Sequence, residues 1–334
     1  MSLFILSATC AILTPTVIYL LVENILNKKA ALISFLLTLS SPYLVNLSLS
    51  MLSDSIGLFF FFLGLYFLQI NKFKTSGIVF SISLFSRPSY IVFFIVGLIY
   101  LYLQKRESLK PILQFFGIGI IFFLGFIFIN EGFLYLIEAK RFLFGHFTLW
   151  GTGQNSDISW ISNLFSFVNI IYLLLIMSFF AYDKKLNLYY VFFIVYLVWI
   201  ILAQNPDNIR HLIPLIFIAN ILISSYLSKY SYYFVLFIVF FNISIITNYS
   251  SNLSPIEQII TDISDKDKTI ITNRGIEILR NYQNNPIIDK YYVHSSNFFK
   301  NQNKVYTINT EQSNKEINTM YKGRFIGEKK LFLY

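Results

Sequence analysis

The sequence predicts an α-helical polytopic membrane protein of about ten transmembrane helices, followed by a small C-terminal extracytoplasmic α/β domain. Three observations lead there. Apolar residues make up 56% of the chain and charged residues only 13%, where soluble proteins carry about a quarter. Apolar runs such as 56–70, 112–129 and 191–203 have no place in a soluble core of this size. Short loops carrying Lys or Arg also alternate with loops that lack them. The basic ones hold Lys28-Lys29, Lys72 and Lys74, Lys105-Arg106 with Lys110, Lys184-Lys185, and Lys229. By the positive-inside rule these face the cytoplasm.

The spans read as 3–22, 30–50, 55–70, 76–87, 88–103, 111–130, 163–182, 187–204, 212–227 and 231–249, several of them shorter than the roughly 20 residues of a full crossing. Ser86-Arg87-Pro88 breaks one apolar run. A hairpin tip at that break, rather than one kinked helix, keeps Lys105-Arg106 on the cytoplasmic side. Followed back, the alternation puts Met1 outside the cytoplasm with no basic n-region or cleavage site after it. The chain therefore reads as one that starts inside a longer architecture. The expected organisation is a transmembrane domain over 1–249, with an extracytoplasmic loop and interfacial helix inside 131–163, and an extracytoplasmic domain over 250–334.

That last segment is polar, with 12 basic and 9 acidic residues. Helices are expected at Pro255–Ile263 and Arg274–Tyr282, and strands at Lys268–Thr272, Lys290–Val293 and Lys304–Ile308. The formal charge of +9 does not point to nucleic acid, because ten of the 26 basic residues lie in the cytoplasmic loops, where anionic lipid accounts for them. One cysteine, Cys10, excludes a disulfide framework, and three scattered histidines do not form a zinc motif. No cofactor is specified, and nothing supports a divalent metal.

The polar residues at the opposite ends of the spans are the candidates for chemistry. Asp54 is the only acid between Glu23 and Glu107. It reads either as a helix N-terminal residue stabilised by the dipole or as a catalytic carboxylate that binds a substrate hydroxyl or assists a base. Arg87 between two apolar helices needs an anionic partner, a lipid phosphate or the phosphate of a lipid-linked substrate. The loop 204–214 holds Asp207, Arg210 and His211. It reads either as a solvated turn with an Asp207–Arg210 pair or as an anion site before a helix that has Pro214 in its first turn. Residues 133–147 read as an amphipathic interfacial helix, followed by His146 and Trp150 beside Gly151 and Gly153. Trp150 and Trp160 suit interface anchoring; His146 with Trp150 equally suits a sugar platform.

These motifs, in this order, resemble the GT-C integral-membrane glycosyltransferases. The resemblance is to the bacterial branch related to dolichyl-phosphate-mannose protein mannosyltransferases and the lipid A aminoarabinose transferase. It is carried by Ala30-Ala31-Leu-Ile-Ser with Ser41-Pro42, Leu47-Ser-Leu-Ser-Met-Leu-Ser-Asp54 and Leu84-Phe-Ser-Arg87-Pro88. It continues in His146-Phe-Thr-Leu-Trp150-Gly151 and Arg210-His211-Leu-Ile-Pro214-Leu. The resemblance implies a polyprenyl-phosphate-linked sugar donor drawn from the membrane, an extracytoplasmic acceptor and inverting transfer. It implies donor-phosphate binding by Arg87, Arg210 and His211, a catalytic role for Asp54, and a sugar or acceptor pocket of His146, Trp150 and Asp207. The family's acidic first loop has no counterpart in this chain. That leaves two readings: an upstream piece supplied by another polypeptide, or an inactive relative. A multi-pass protein of a bacterial inner membrane is the expected setting.

Three competitors remain. A lipid-linked oligosaccharide polymerase shares the helix number and an arginine-rich outer loop. A transporter would show charges or broken helices near the bilayer midplane, and the sequence reads without them. A non-enzymatic scaffold would transfer nothing.

Overall fold

The computed structural model describes residues 2–49, 53–104, 106–134, 136–137, 140, 159–204, 206, 209–230, 233–263, 269–272, 279, 287–289, 305–309, 319–321 and 331–333. The chain divides into two compact units, Met1–Ile243 and Ser244–Tyr334.

The first unit is helical: α1 (Ser2–Ile25), α2 (Lys28–Leu39), α3 (Pro42–Leu49), α4 (Ser53–Gln69), α5 (Phe73–Ser86), α6 (Ile91–Gln104) and α7 (Arg106–Glu131). After the 131–159 stretch come α8 (Trp160–Leu164), a 3-10 segment Phe167–Leu173, α9 (Leu174–Phe180), α10 (Asn187–Ala203) and α11 (Ile213–Tyr230). Helix α12 (Tyr233–Ser251) runs across the division. Among the described residues, five helical stretches are long and apolar enough to cross a membrane: Ile5–Ile25, Arg106–Asn130, Lys184–Ala203, Arg210–Lys229 and Tyr233–Asp262. The pair α2 and α3 makes a sixth if counted as one span, and four shorter apolar helices accompany them. The chain is thus a polytopic helical membrane protein.

Two spans differ from the sequence expectation. Residues 30–50 do not form one helix: Pro42 lacks an amide proton to continue the ladder, and α2 and α3 meet at a 59° bend. The sequence reads without a broken helix near the midplane, and this bend is a break that the hydropathy did not reveal. The span expected at 163–182 is a composite of α8, seven residues of 3-10 helix and α9.

Small residues set the helix contacts, as expected where lipid removes the hydrophobic drive between helices. Ser83 Oγ donates to the Gly57 carbonyl at 2.7 Å and Ser76 Oγ to the Gly64 carbonyl at 2.9 Å. The two bonds fix the antiparallel register of α4 and α5. A Cβ at Gly57 would lie 2.8 Å from Arg87 Cβ, and one at Gly77 would lie 2.5 Å from the Ile112 carbonyl oxygen of α7. These glycines let α5 press against both neighbours.

The turns sort the charges. Ser7 of α1 meets Ser55 of α4, so both helices start at the same end of the unit. Asp54 at the start of α4, Arg87 at the end of α5 and Arg210 before α11 also meet there. Lys28, Lys72, Lys74, Arg106, Lys184 and Lys185 occupy the turns at the other end, and Lys229 closes α11 on that side. Helix α5 has 14 residues, about 21 Å at 1.5 Å per residue, which is short of an average hydrocarbon core of about 30 Å.

The second unit contains α13 (Pro255–Asp262) and a five-stranded mixed sheet. Its strands are β1 (Thr269–Thr272), β2 (Ile287–Asp289), β3 (Val305–Asn309), β4 (Thr319–Tyr321) and β5 (Leu331–Leu333), in the order β2-β1-β3-β5-β4. Strand β1 pairs in parallel with β2 and β3, while β5 is antiparallel to β3 and β4. A reciprocal capping box starts α13: Ser254 Oγ accepts from the Glu257 amide, and Glu257 Oε2 accepts from the Ser254 amide. Ile256, Ile259, Ile263, Ile270, Leu279 and Ile308 form the core. Among the described residues the second strand lies at 287–289 and the expected strand 290–293 falls outside them; β4 and β5 were not expected. The expected helix 274–282 falls almost wholly outside the described residues, as does most of the expected interfacial helix 133–147.

Candidate functional site

Three breaks in helical structure build the site. Asp54 lies in the first turn of α4, where the helix dipole favours a carboxylate. Arg87 ends α5 because Pro88 follows it: the residue before proline is pushed out of the α region, and Arg87 sits at φ −144°, ψ 90°. Arg210 and His211 lie in a 3-10 turn, Ile209–Leu212, that leads into α11. Pro214, second residue of α11, removes no needed donor there.

The side chains converge. Arg87 Nε donates to Asp54 Oδ1 at 2.8 Å, and Arg210 Nη1 lies 3.8 Å from Asp54 Oδ2. Arg87 Nη2 is 3.3 Å from His211 Nδ1. The Asp54 side chain is 5% exposed, Arg87 16% and Arg210 32%. Two guanidinium groups therefore share one buried carboxylate, and among the described residues the group carries one unit of excess positive charge. Asp54 Oδ2, Arg210 Nε and Ser89 Oγ are buried without a hydrogen-bond partner among the described residues. Buried polar atoms of this kind call for a ligand or an ordered water. Beneath the pair is an aromatic floor: Tyr90 against Phe61 and Phe93, and Phe93 stacked on Tyr196 at 4.3 Å.

The loop that carries Arg210 is held from the composite span. Trp160 Nε1 donates to the Gln204 carbonyl at 3.1 Å, and Asn163 Nδ2 donates to the Pro206 carbonyl. Asn169 Nδ2 donates to the Asn163 carbonyl and accepts at Oδ1 from the Tyr43 hydroxyl at 2.8 Å. Trp160 is thus a buried brace for the loop and not the interface anchor its sequence position implied.

Of the residues singled out in the sequence, Asp54, Arg87, Arg210 and His211 come together. Arg210 faces Asp54 of α4, and Asp207, its expected partner, lies outside the described residues. His146 and Trp150 also lie outside them. Among the described residues, no group of three His, Cys, Asp or Glu side chains could hold a metal ion. Gly57 and Ser83 were missed, although they bring α4 close enough to α5 for Asp54 to meet Arg87. The recurrence of small residues seven apart, Gly57 with Gly64 and Ser76 with Ser83, was the available signal.

Residues 1–129 match the family model described as dolichyl-phosphate-mannose-protein mannosyltransferase. The match is consistent with a glycosyltransferase of the GT-C type, and it includes Asp54 and Arg87 while ending before Arg210 and His211. No curated protein matches the chain.

Proposed function

We propose that this protein transfers a sugar from a polyprenyl-phosphate donor to an extracytoplasmic acceptor, with inversion, and that the Arg87–Asp54–Arg210 cluster receives the donor phosphate. The observation that carries the reading is the charge balance among the described residues: two arginines on one buried carboxylate, with Arg210 Nε left without a hydrogen bond. Guanidinium groups suit phosphate oxygens in geometry and charge. The departing phosphate gains negative charge as the glycosidic bond breaks, and preoriented cations stabilise that charge most in a site shielded from water. Asp54 holds the two arginines together, and its Oδ2 is the cluster's acceptor for a substrate hydroxyl. The segregation of basic turns to the opposite end supports an extracytoplasmic site by the positive-inside rule, and a bacterial inner membrane fits that arrangement. His146, Trp150 and Asp207 remain the candidates for the sugar and acceptor pocket.

The test uses the purified full chain in lipid nanodiscs with radiolabelled polyprenyl-phosphoryl-mannose. Release or transfer of the sugar is expected in the wild type and a loss of about 100-fold or more in Arg210→Ala, the usual scale for removing one charge-stabilising donor. Unchanged turnover in Arg210→Ala removes the cluster from the reaction.

A further inference from the structure

We propose that His211 is a positioning residue that fixes the Arg87 guanidinium through Nδ1, and that protonation of its ring releases Arg87 and weakens donor binding on acidification. The inference rests on the phosphate-binding reading above.

The chemistry of the contact assigns the imidazole. Arginine has only donors and stays protonated. At 3.3 Å from Arg87 Nη2, His211 Nδ1 can only be the acceptor. An acceptor at Nδ1 requires a neutral ring with its proton on Nε2, whatever else the ring touches. Nε and Nη2 lie on one edge of the guanidinium, so Asp54 Oδ1 and His211 Nδ1 grip that edge at two points. Two points fix the plane of the group, whereas one leaves it free to swing about the Nε contact. The opposite end, with Nη1, is then presented in a set direction.

Protonation converts this grip into a clash. Both ring nitrogens of a charged histidine are donors, so Nδ1–H would face Arg87 N–H in a place where His211 is 5% exposed. Among the described residues, the charged groups around the ring are Arg87 from the end of α5, Asp54 from the start of α4 and Arg210 next to it in the chain. The buried phenols of Tyr90 and Tyr196 lie within electrostatic reach of the Asp54–Arg87 pair. The group thus already holds more positive than negative charge.

A simple coulombic role predicts the opposite sign, since one more cation would attract an anion more strongly. Binding of polyprenyl-phosphoryl-mannose to the full chain in nanodiscs at pH 8 and pH 5.5 separates the two. The probe is a phosphodiester and remains a monoanion throughout, so the pH effect belongs to the protein. Wild type is expected to bind about tenfold more weakly at pH 5.5, the scale of one hydrogen bond to a charged group. His211→Ala should show that loss already at pH 8. His211→Asn, whose Oδ1 can take the place of Nδ1, should recover most of it and bind equally at both pH values. Equal or tighter wild-type binding at pH 5.5, or a His211→Asn variant as weak as His211→Ala, overturns the proposal.

A second measurement does not depend on the ligand. The chain has three histidines, so ¹⁵N-histidine labelling gives three imidazole signals, with that of His211 identified by its loss in His211→Asn. A neutral ring protonated at Nε2 is expected at pH 7.5; an Nδ1–H tautomer or a charged ring refutes the assignment. If Arg210→Ala leaves probe binding intact while this signal is as expected, the phosphate reading fails and the His211–Arg87 contact stands.

Discussion

Two polar regions inside the helical unit are built in opposite ways. In the neutral one, where α2 breaks into α3, Asn220 Nδ2 donates to Thr38 Oγ1 at 3.3 Å and Asn242 Nδ2 to Ser40 Oγ at 3.2 Å. Tyr43 and Asn169 continue the pattern. The bonds there join neutral groups to one another, although Ser41 Oγ in the break itself is buried without a hydrogen-bond partner among the described residues. At the end of the unit, Asp54, Arg87 and Arg210 are charged, unequal in number and incompletely hydrogen-bonded. Matched neutral groups between helices act as adhesive of modest strength, whereas an unbalanced buried charge is kept where an external partner completes it. The broken span, which taken alone would favour a transporter, is therefore accounted for by packing, and the charged cluster is the place for the proposed function.

Asp54→Ala is the strongest way to break this comparison. It leaves two guanidinium groups facing each other, with Asp54 and Arg87 both well buried, and should lower stability by about 3–5 kcal/mol. Thermal unfolding in detergent reads this directly, and Asp54→Ala with Arg87→Met should recover much of the loss. No recovery would mean that Asp54 matters for something other than the arginine charge.

Gly57→Ala comes next. The added methyl meets Arg87 Cβ at 2.8 Å, and neither helix can yield without moving its backbone. A loss of about 1–3 kcal/mol is expected, together with reduced sugar release, because the same contact sets the Asp54–Arg87 distance. Wild-type melting and turnover in this variant would show that α4 and α5 separate freely.

Asn220→Leu, in the neutral region, should have the smallest effect: about 1 kcal/mol, with turnover retained. A loss of turnover there without a loss of stability would erase the distinction between the two regions.

The charged half of this comparison was open to sequence reading for a simple reason. A single Asp or Arg in an apolar run has few structural excuses, and Asp54, Arg87 and Arg210 stand out on that ground. Their pairing was not open, because it depends on the approach of α4 to α5 through Gly57 and Ser83, and apolar helices of like composition do not announce which faces meet. His211 was read as a phosphate ligand from the family resemblance, and its contact with Arg87 was not open to sequence reading. The alternation of basic turns gave most helix positions to within a few residues. It failed at Ser40-Ser41-Pro42 and at 163–182, where proline and buried Asn side chains break helices without changing the hydropathy.

Helix α5, at 14 residues, ends well below the level that a full-length helix would reach. By length alone, a helix that starts at one hydrocarbon boundary would leave Arg87 at its tip short of the other, and not in the water beyond it. In the proposed reaction the donor would enter sideways along the leaflet, its phosphate drawn down to the recessed arginines. The acceptor would descend from the aqueous side, so the two substrates would travel along perpendicular routes and never compete for one doorway.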